Sequence, residues 1–151
     1  KGLYQYIRME LCNKGDLEEH IGEAPGLVLP EDALRPYAFQ MIFSLFAVQT
    51  DYHMRHYDVK LLNFMLKTID EPVGGSSSGA ADGSKVVRYG LGGQTYRLEM
   101  APNSSLWVKL ADFGTADVDE RGLGAPVGLD HYTTLENSPI EQLVLGSGAT
   151  Q

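Results

Sequence analysis

Apolar and polar residues alternate with two different periods along this chain, and the two periods predict its elements. Residues 4–11 (Tyr-Gln-Tyr-Ile-Arg-Met-Glu-Leu) alternate in the manner of a β-strand. A short helix is predicted to begin at Leu17 and to end near Ile21. Apolar side chains then recur at helical spacing from Leu34 to Val48, which predicts a long buried helix that ends near His53. The proline and acidic residues at 30–32 are typical of a helix start.

Two apolar stretches in the second half of the chain predict short strands that flank an insertion. They cover residues 61–66 and 106–110. The insertion runs from about 68 to 105, and its segment 74–84 is a low-complexity run rich in Gly and Ser that is typical of a mobile linker. The flanking strands therefore belong to one unit that the insertion interrupts.

The second part of the insertion predicts a β-hairpin. Lys85–Leu91 and Gln94–Met100 both have strand character, and Gly92-Gly93 joins them with the residues that a two-residue hairpin turn requires. The surrounding stretch, Tyr89 to Gln94, also contains G-x-G, but Thr95 replaces the last glycine of a G-x-G-x-x-G phosphate loop. We therefore interpret it as a turn.

Composition limits the class of protein. The 151 residues are 43% hydrophobic, which is enough for a core, and the net charge of −8 with a pI of about 4.8 argues against nucleic-acid and anionic-membrane partners. Cys12 is the single cysteine, so an internal disulfide is excluded and a reducing compartment is favoured. No signal peptide or membrane-spanning apolar run is visible. We expect an intracellular, cytoplasmic location.

Two short motifs carry the chemistry of the chain. Residues 56–63 have the pattern H-x-D-x-K-x-x-N, and residues 112–114 are Asp-Phe-Gly after the apolar stretch Val108–Ala111. Taken singly, each residue also fits a helix end, a polar turn and a buried core histidine. Together and in this order, the motifs resemble the catalytic machinery of eukaryotic-type protein kinases.

The resemblance implies an α+β, protein-kinase-like fold of which this chain holds a part, mainly the helical large lobe with short β-hairpins. Residues 1–16 would contain the hinge between the two lobes, 17–67 the helix and catalytic loop, and 106–146 the magnesium motif and activation segment. The insertion 68–105 departs from the family, which has a tight strand-turn-strand there. The glycine-rich loop and catalytic lysine of the small lobe are expected before Lys1.

The resemblance also assigns roles to the motif residues. Asp58 would act as the catalytic base, and Lys60 would meet the charge of the phosphoryl group. Asn63 and Asp112 would hold magnesium, a hard cation that prefers oxygen ligands. In the family, the residues at His56 and Phe113 stack on each other, with the phenylalanine packed inward.

The segment 9–17 resembles the kinase hinge. By that resemblance Met9 is the gatekeeper beside the adenine pocket, and backbone groups of Glu10 and Cys12 bind the adenine edge. Asp16 would lie near the ribose, and Met65 would form the floor under the adenine. The alternative for this segment is an edge strand followed by a turn.

The end of the chain resembles the end of an activation segment. Glu141 stands at the glutamate of the A-P-E motif, with the proline displaced by one position. Thr134, seven residues earlier, matches the threonine that contacts the catalytic aspartate and lysine in Ser/Thr kinases. Lys60 also favours Ser/Thr specificity. Tyr57 replaces the arginine of H-R-D, so the usual switch by an activation-loop phosphate is not expected.

The resemblance implies an ATP- and Mg²⁺-dependent kinase that phosphorylates Ser or Thr of a protein substrate. A partner chain that covers the incomplete lobe is also possible. The alternative is a pseudokinase or kinase-fold scaffold, and a structural role without nucleotide is the third option. Tyr57 and the insertion favour divergence, whereas the intact Asp58, Lys60, Asn63 and Asp112 favour an enzyme.

Overall fold

The computed structural model describes residues 3–69, 84–101, 106–118 and Thr134. These residues form a mixed α+β arrangement with two α-helices and three small antiparallel sheets. Most of the Gly/Ser-rich stretch and the predicted activation segment, including Glu141, lie outside the described residues. Among the described residues, no helix combines the length and the apolarity that a bilayer crossing requires.

Two helices follow one another in the first third of the chain. α1 spans Leu17–Gly22, and the Asp16 carboxylate caps it by accepting a hydrogen bond of 2.9 Å from the backbone N–H of Glu19. α2 spans Glu31–Tyr52 and ends at His53, which takes the left-handed conformation with φ of 49°. Both helices confirm the predicted elements.

The expectation of a buried α2 is wrong for one side of the helix. Its buried residues lie in the first half of the helix and are Ala33, Pro36, Tyr37 and Gln40. By contrast, Leu34, Ile42 and Phe46 are exposed. The described contacts of α2 therefore leave these three side chains about half exposed or more.

Six strands of the described residues pair into three sheets. They are β1 (Met54–Arg55), β2 (Phe64–Thr68), β3 (Lys85–Leu91), β4 (Gln94–Met100), β5 (Leu106–Leu110) and β6 (Asp117–Val118). β1 pairs with β6, β2 with β5 and β3 with β4, all antiparallel. The strand predicted for residues 61–66 begins later than expected, at Phe64, because residues 61–63 form a 3₁₀ turn before β2.

The β3–β4 pair confirms the predicted hairpin and its turn. Gly92 and Gly93 both have positive φ, at 56° and 76°, which is the backbone conformation that a type I′ turn needs. The hairpin packs on α2 through aromatic rings. Its contacts join Phe39 and Phe43 of α2 to Tyr89, which in turn meets Trp107 of β5. The insertion is thus attached to the same helix as the rest of the unit.

The core lies between α1, α2 and the β2–β5 sheet. Its buried apolar residues are Leu17, Ala33, Tyr37, Phe64, Leu66 and Val108. Gln40 extends this contact with a buried amide, which donates to the Leu106 carbonyl at 3.1 Å and accepts from the Val108 N–H at 3.0 Å. The amide satisfies two backbone groups of β5 and thereby fixes the strand on the helix.

The strand predicted for residues 4–11 is not present. The segment from Leu3 to Leu11 has no regular secondary structure, and its large apolar side chains are exposed. A strand requires a neighbour to pair with its backbone, and no described strand pairs with this segment.

Candidate active site

One residue in each of the two motifs has a positive φ, a backbone conformation that is uncommon for residues other than glycine. Of the four non-glycine residues with positive φ among the described residues, two belong to the motifs: Tyr57 at 62° and Asp112 at 59°. Such conformations cost free energy and concentrate at functional sites. The β1–β6 pair flanks both turns. β1 ends at Arg55, two residues before Tyr57, and its partner β6 begins at Asp117, five residues after Asp112.

His56 joins the two motifs. Its buried imidazole donates from Nε2 to the Ala111 carbonyl oxygen at 2.8 Å and accepts at Nδ1 from the Asp58 N–H at 3.4 Å. This pattern assigns the ring hydrogen to Nε2. The hydroxyl of Thr115 donates to the His56 carbonyl at 3.0 Å. The catalytic-loop pattern and the Asp-Phe-Gly turn therefore form one hydrogen-bonded unit.

The Asp58 carboxylate is the centre of this unit. It is 7% exposed and accepts bonds from the side chains of three residues that the sequence singled out. Lys60 Nζ lies 2.8 Å and Asn63 Nδ2 3.0 Å from Oδ2, while Thr134 Oγ1 donates to Oδ1 at 3.2 Å. Lys60 also donates to Thr134 at 3.1 Å. All four predicted catalytic residues are thus in direct contact.

These contacts set the charge of the site. Burial raises the pKa of Asp58, but the hydrogen bonds from Lys60 and Asn63, the Lys60 charge and the Thr134 bond together lower it below its ordinary value. The hydrogen bond to Asp58 likewise raises the pKa of Lys60. At neutral pH, Asp58 is therefore an ionised carboxylate beside a cationic Lys60.

A backbone hydrogen bond brings Asn63 close to the segment that contains Asp112. Nδ2 of Asn63 donates to both the carbonyl and the carboxylate of Asp58, so its Oδ1 takes no part in these bonds. The backbone carbonyl of Asn63 accepts from the Ala111 N–H at 2.8 Å, which brings the residue before Asp112 against Asn63. One amide and one carboxylate oxygen are ligands that suit Mg²⁺.

Phe113 departs from the expectation. Its ring meets His56 edge-on, with centroids 5.4 Å apart, as the resemblance implies. However, the side chain is 48% exposed, so inward packing is wrong for the described part of the chain. No described element covers the outer face of the ring.

Of the residues predicted to bind adenine, Asp16 and Glu10 contact the β2–β5 sheet, of which Met65 is a part. Asp16 forms an isolated bridge with Met65, and the backbone of 14–15 exchanges two hydrogen bonds with Leu66. The Asp16 carboxylate is engaged as the cap of α1. Met9 is 82% exposed, and Cys12 is partly buried. The structure therefore brings Asp16 and Met65 together. Met9 and Cys12 are linked to them by sequence proximity, not by a described contact.

The side-chain contacts of this region were not predicted from the sequence. Glu10 forms ion pairs with Lys67 of β2 and Lys109 of β5, at 2.9 and 3.5 Å. Asn13 Nδ2 donates to the Thr68 hydroxyl at 3.0 Å, and its Oδ1 accepts from the Thr68 N–H at 3.0 Å. The available signal was the lysine that interrupts each of the two apolar strands, since a charge at such a position needs a partner.

Comparison with models of known protein families gives no match, and comparison with curated protein sequences gives none either. Among the described residues, no group of three His, Cys, Asp or Glu side chains lies close enough together to hold a metal. That finding does not bear on a site made of one asparagine and one aspartate.

Proposed function

We propose that this chain is part of the catalytic domain of a Ser/Thr protein kinase, with a protein-kinase-like fold that is mainly the large lobe. The observation that carries the proposal is the Asp58 carboxylate, held by Lys60, Asn63 and Thr134 and connected through His56 to the Asp-Phe-Gly turn. Each contact joins residues that the two motifs, or the predicted activation segment, assign to phosphoryl transfer.

The lone pairs of Asp58 fit the role of a base. Oδ2 accepts from Lys60 and Asn63, whereas Oδ1 accepts from Thr134 alone among the described residues. Oδ1 therefore retains a lone pair that can orient a substrate hydroxyl and take its proton. The lowered pKa of Asp58 keeps the carboxylate ionised and ready to accept that proton at neutral pH.

The remaining residues fit the binding of Mg²⁺ and ATP. When bound, the metal nucleotide supplies the phosphoryl group and a positive charge that stabilises the transition state. Asn63 Oδ1 and the Asp112 carboxylate would hold the metal. Lys60 keeps its ammonium group beside the base, where it can stabilise negative charge on the phosphoryl group. Backbone groups of Glu10 and Cys12 would bind the adenine edge.

The alternative is a pseudokinase or kinase-fold scaffold. Tyr57 favours it, because this residue replaces the H-R-D arginine and is held in a left-handed conformation with its hydroxyl on Arg55 at 3.2 Å. The complete set of side-chain contacts around Asp58 favours the enzyme.

The substitution Asp58→Asn tests the proposal. In the full-length protein it should reduce phosphoryl transfer by about 10²- to 10⁴-fold, the usual cost of losing a general base. ATP binding should change little, since Asp58 is not assigned to the nucleotide. Transfer to a generic Ser/Thr protein substrate and ATP binding by calorimetry would be measured in parallel.

Asp51→Asn is the matched control. It makes the same chemical change at an exposed position of α2, outside the site. Turnover in Asp51→Asn should equal that of the wild type. If Asp58→Asn also turns over at the wild-type rate, Asp58 is not the base and the enzyme reading is wrong.

A further inference from the structure

Residues 3–12 have few attachments to the rest of the described chain. No backbone hydrogen bond joins them to another described residue, and their apolar side chains from Leu3 to Leu11 are exposed. The first backbone attachment comes at Lys14, whose N–H donates to the Leu66 carbonyl at 3.0 Å. What fixes the position of residues 9–12 must therefore come from side chains.

Two side chains provide this attachment. The Glu10 carboxylate lies between Lys67 and Lys109, with one oxygen on each lysine. Three residues later, the Asn13 amide pairs with both the backbone N–H and the hydroxyl of Thr68. Both attachments end on the β2–β5 sheet, and we call these five residues the latch.

The latch is a connected arrangement. Lys67 and Lys109 come from paired strands, because Lys67 stands opposite Trp107 and Lys109 opposite Met65. Lys109 Nζ also lies 5.3 Å from the centre of the Trp107 ring, which favours its orientation along the sheet surface. Glu10 thus reaches across both strands and meets two cations that the sheet already orients. The hydrogen bond from Lys67 and the charge of Lys109 lower the pKa of Glu10.

We propose that Glu10 is a positioning residue for nucleotide binding. In this proposal the latch fixes the backbone of residues 10–12 relative to Met65. The inference rests on the proposed function, in which that backbone binds the adenine edge above Met65. Lys109 pairs directly with Met65, so the Glu10–Lys109 contact fixes the distance between the two surfaces that would enclose the base. Loss of the latch leaves adenine with a less ordered partner.

The substitution Glu10→Gln in the full-length protein provides the test. It keeps the size of the side chain and removes its charge, so the KM for ATP should rise about three- to tenfold, as expected for two partly exposed ion pairs. The kcat should stay within about twofold, because the residues around Asp58 are untouched. High salt should raise the wild-type KM toward that of the variant, since salt screens exposed charges. A purely structural role of Glu10 would not produce that convergence.

Glu99→Gln is the matched control. Glu99 forms a more exposed ion pair with Arg97 at 2.7 Å on the β4 strand, far from the hinge segment in sequence. Its KM for ATP should equal that of the wild type at every salt concentration. A KM for Glu10→Gln that also equals the wild type would overturn the role of the latch.

A second measurement separates the latch from the proposed function. In the wild type, NMR titration of the Glu10 carboxyl should give a pKa below the ordinary glutamate value, and Lys67→Met should raise it again. An ordinary pKa in the wild type would overturn the latch whatever the protein does with ATP. A lowered pKa in a protein that binds no ATP would instead overturn the proposed function and, with it, the positioning role.

Discussion

The junction of the two motifs and the segment before α1 differ in nearly every physical respect. At the junction, His56, Asp58 and Asn63 are polar yet buried, and each has hydrogen-bond partners within the described chain. In residues 3–12, by contrast, large apolar side chains are exposed and the backbone is unpaired among described residues. One region places polar groups inside, and the other places apolar groups outside.

The difference lies in the partners that the described residues supply to each region. Buried polar groups are stable only when their partners are present, and the junction supplies these partners from residues 55–63, 111–115 and Thr134. Residues 4–11 have the alternating pattern of a strand, but no described strand pairs with them. On α2, the side chains of Leu34, Ile42 and Phe46 are exposed. The proposed kinase fold accounts for both surfaces, because the small lobe and the later helices of the large lobe would cover them.

The largest expected effect distinguishes the two regions by stability. Leu66→Ala removes a fully buried side chain from β2 beneath the junction and should lower the free energy of unfolding by about 2–5 kcal/mol. Leu11→Ala makes the same chemical change at an exposed position of the other region and should stay within about 0.5 kcal/mol. Urea denaturation of both full-length variants would measure the difference. Equal losses would show that residues 3–12 are packed as firmly as the core, which contradicts the contrast.

A smaller effect should appear in the pH dependence of stability. Because the pKa of Asp58 is lower in the folded protein than in the unfolded chain, its contribution to stability is present above the unfolded pKa, about 3.9. That contribution is lost as the pH falls through the folded pKa. The stability difference between wild type and Asp58→Asn should therefore shrink between pH 6 and pH 3. A constant difference for Asp58→Asn would refute the lowered pKa.

The sequence predicted elements well where the local signal is complete. The Gly92-Gly93 turn and the periodic α2 needed no knowledge of the rest of the protein. The strand at residues 4–11 was predicted wrongly, because alternation indicates what a segment can pair with but not whether a neighbour exists. The same limit applies to α2, whose apolar period does not show which of its faces is covered.

The site was predictable to a similar degree. Motif spacing singled out Asp58, Lys60, Asn63 and Thr134, which lie in contact. It did not indicate that Gln40 fixes β5 or that Glu10 binds two lysines. Gln40 and its nearer partner in β5 are 66 positions apart in sequence, and Glu10 and its nearer lysine are 57 positions apart. Long-range polar contacts depend on packing, and a single sequence carries no signal of such pairing.

Metal-dependent ATP binding tests the central claim, that both motifs form one phosphoryl-transfer site, most directly. Calorimetry on the full-length protein should show ATP affinity that depends on Mg²⁺. Asp112→Ala should lower the affinity with Mg²⁺ by about tenfold or more, ~1.4 kcal/mol, because it removes a charged ligand. Asn63→Ala should lower it less, since the amide is neutral. An equal, metal-independent affinity of the wild type with and without Mg²⁺ would contradict the claim and favour the scaffold.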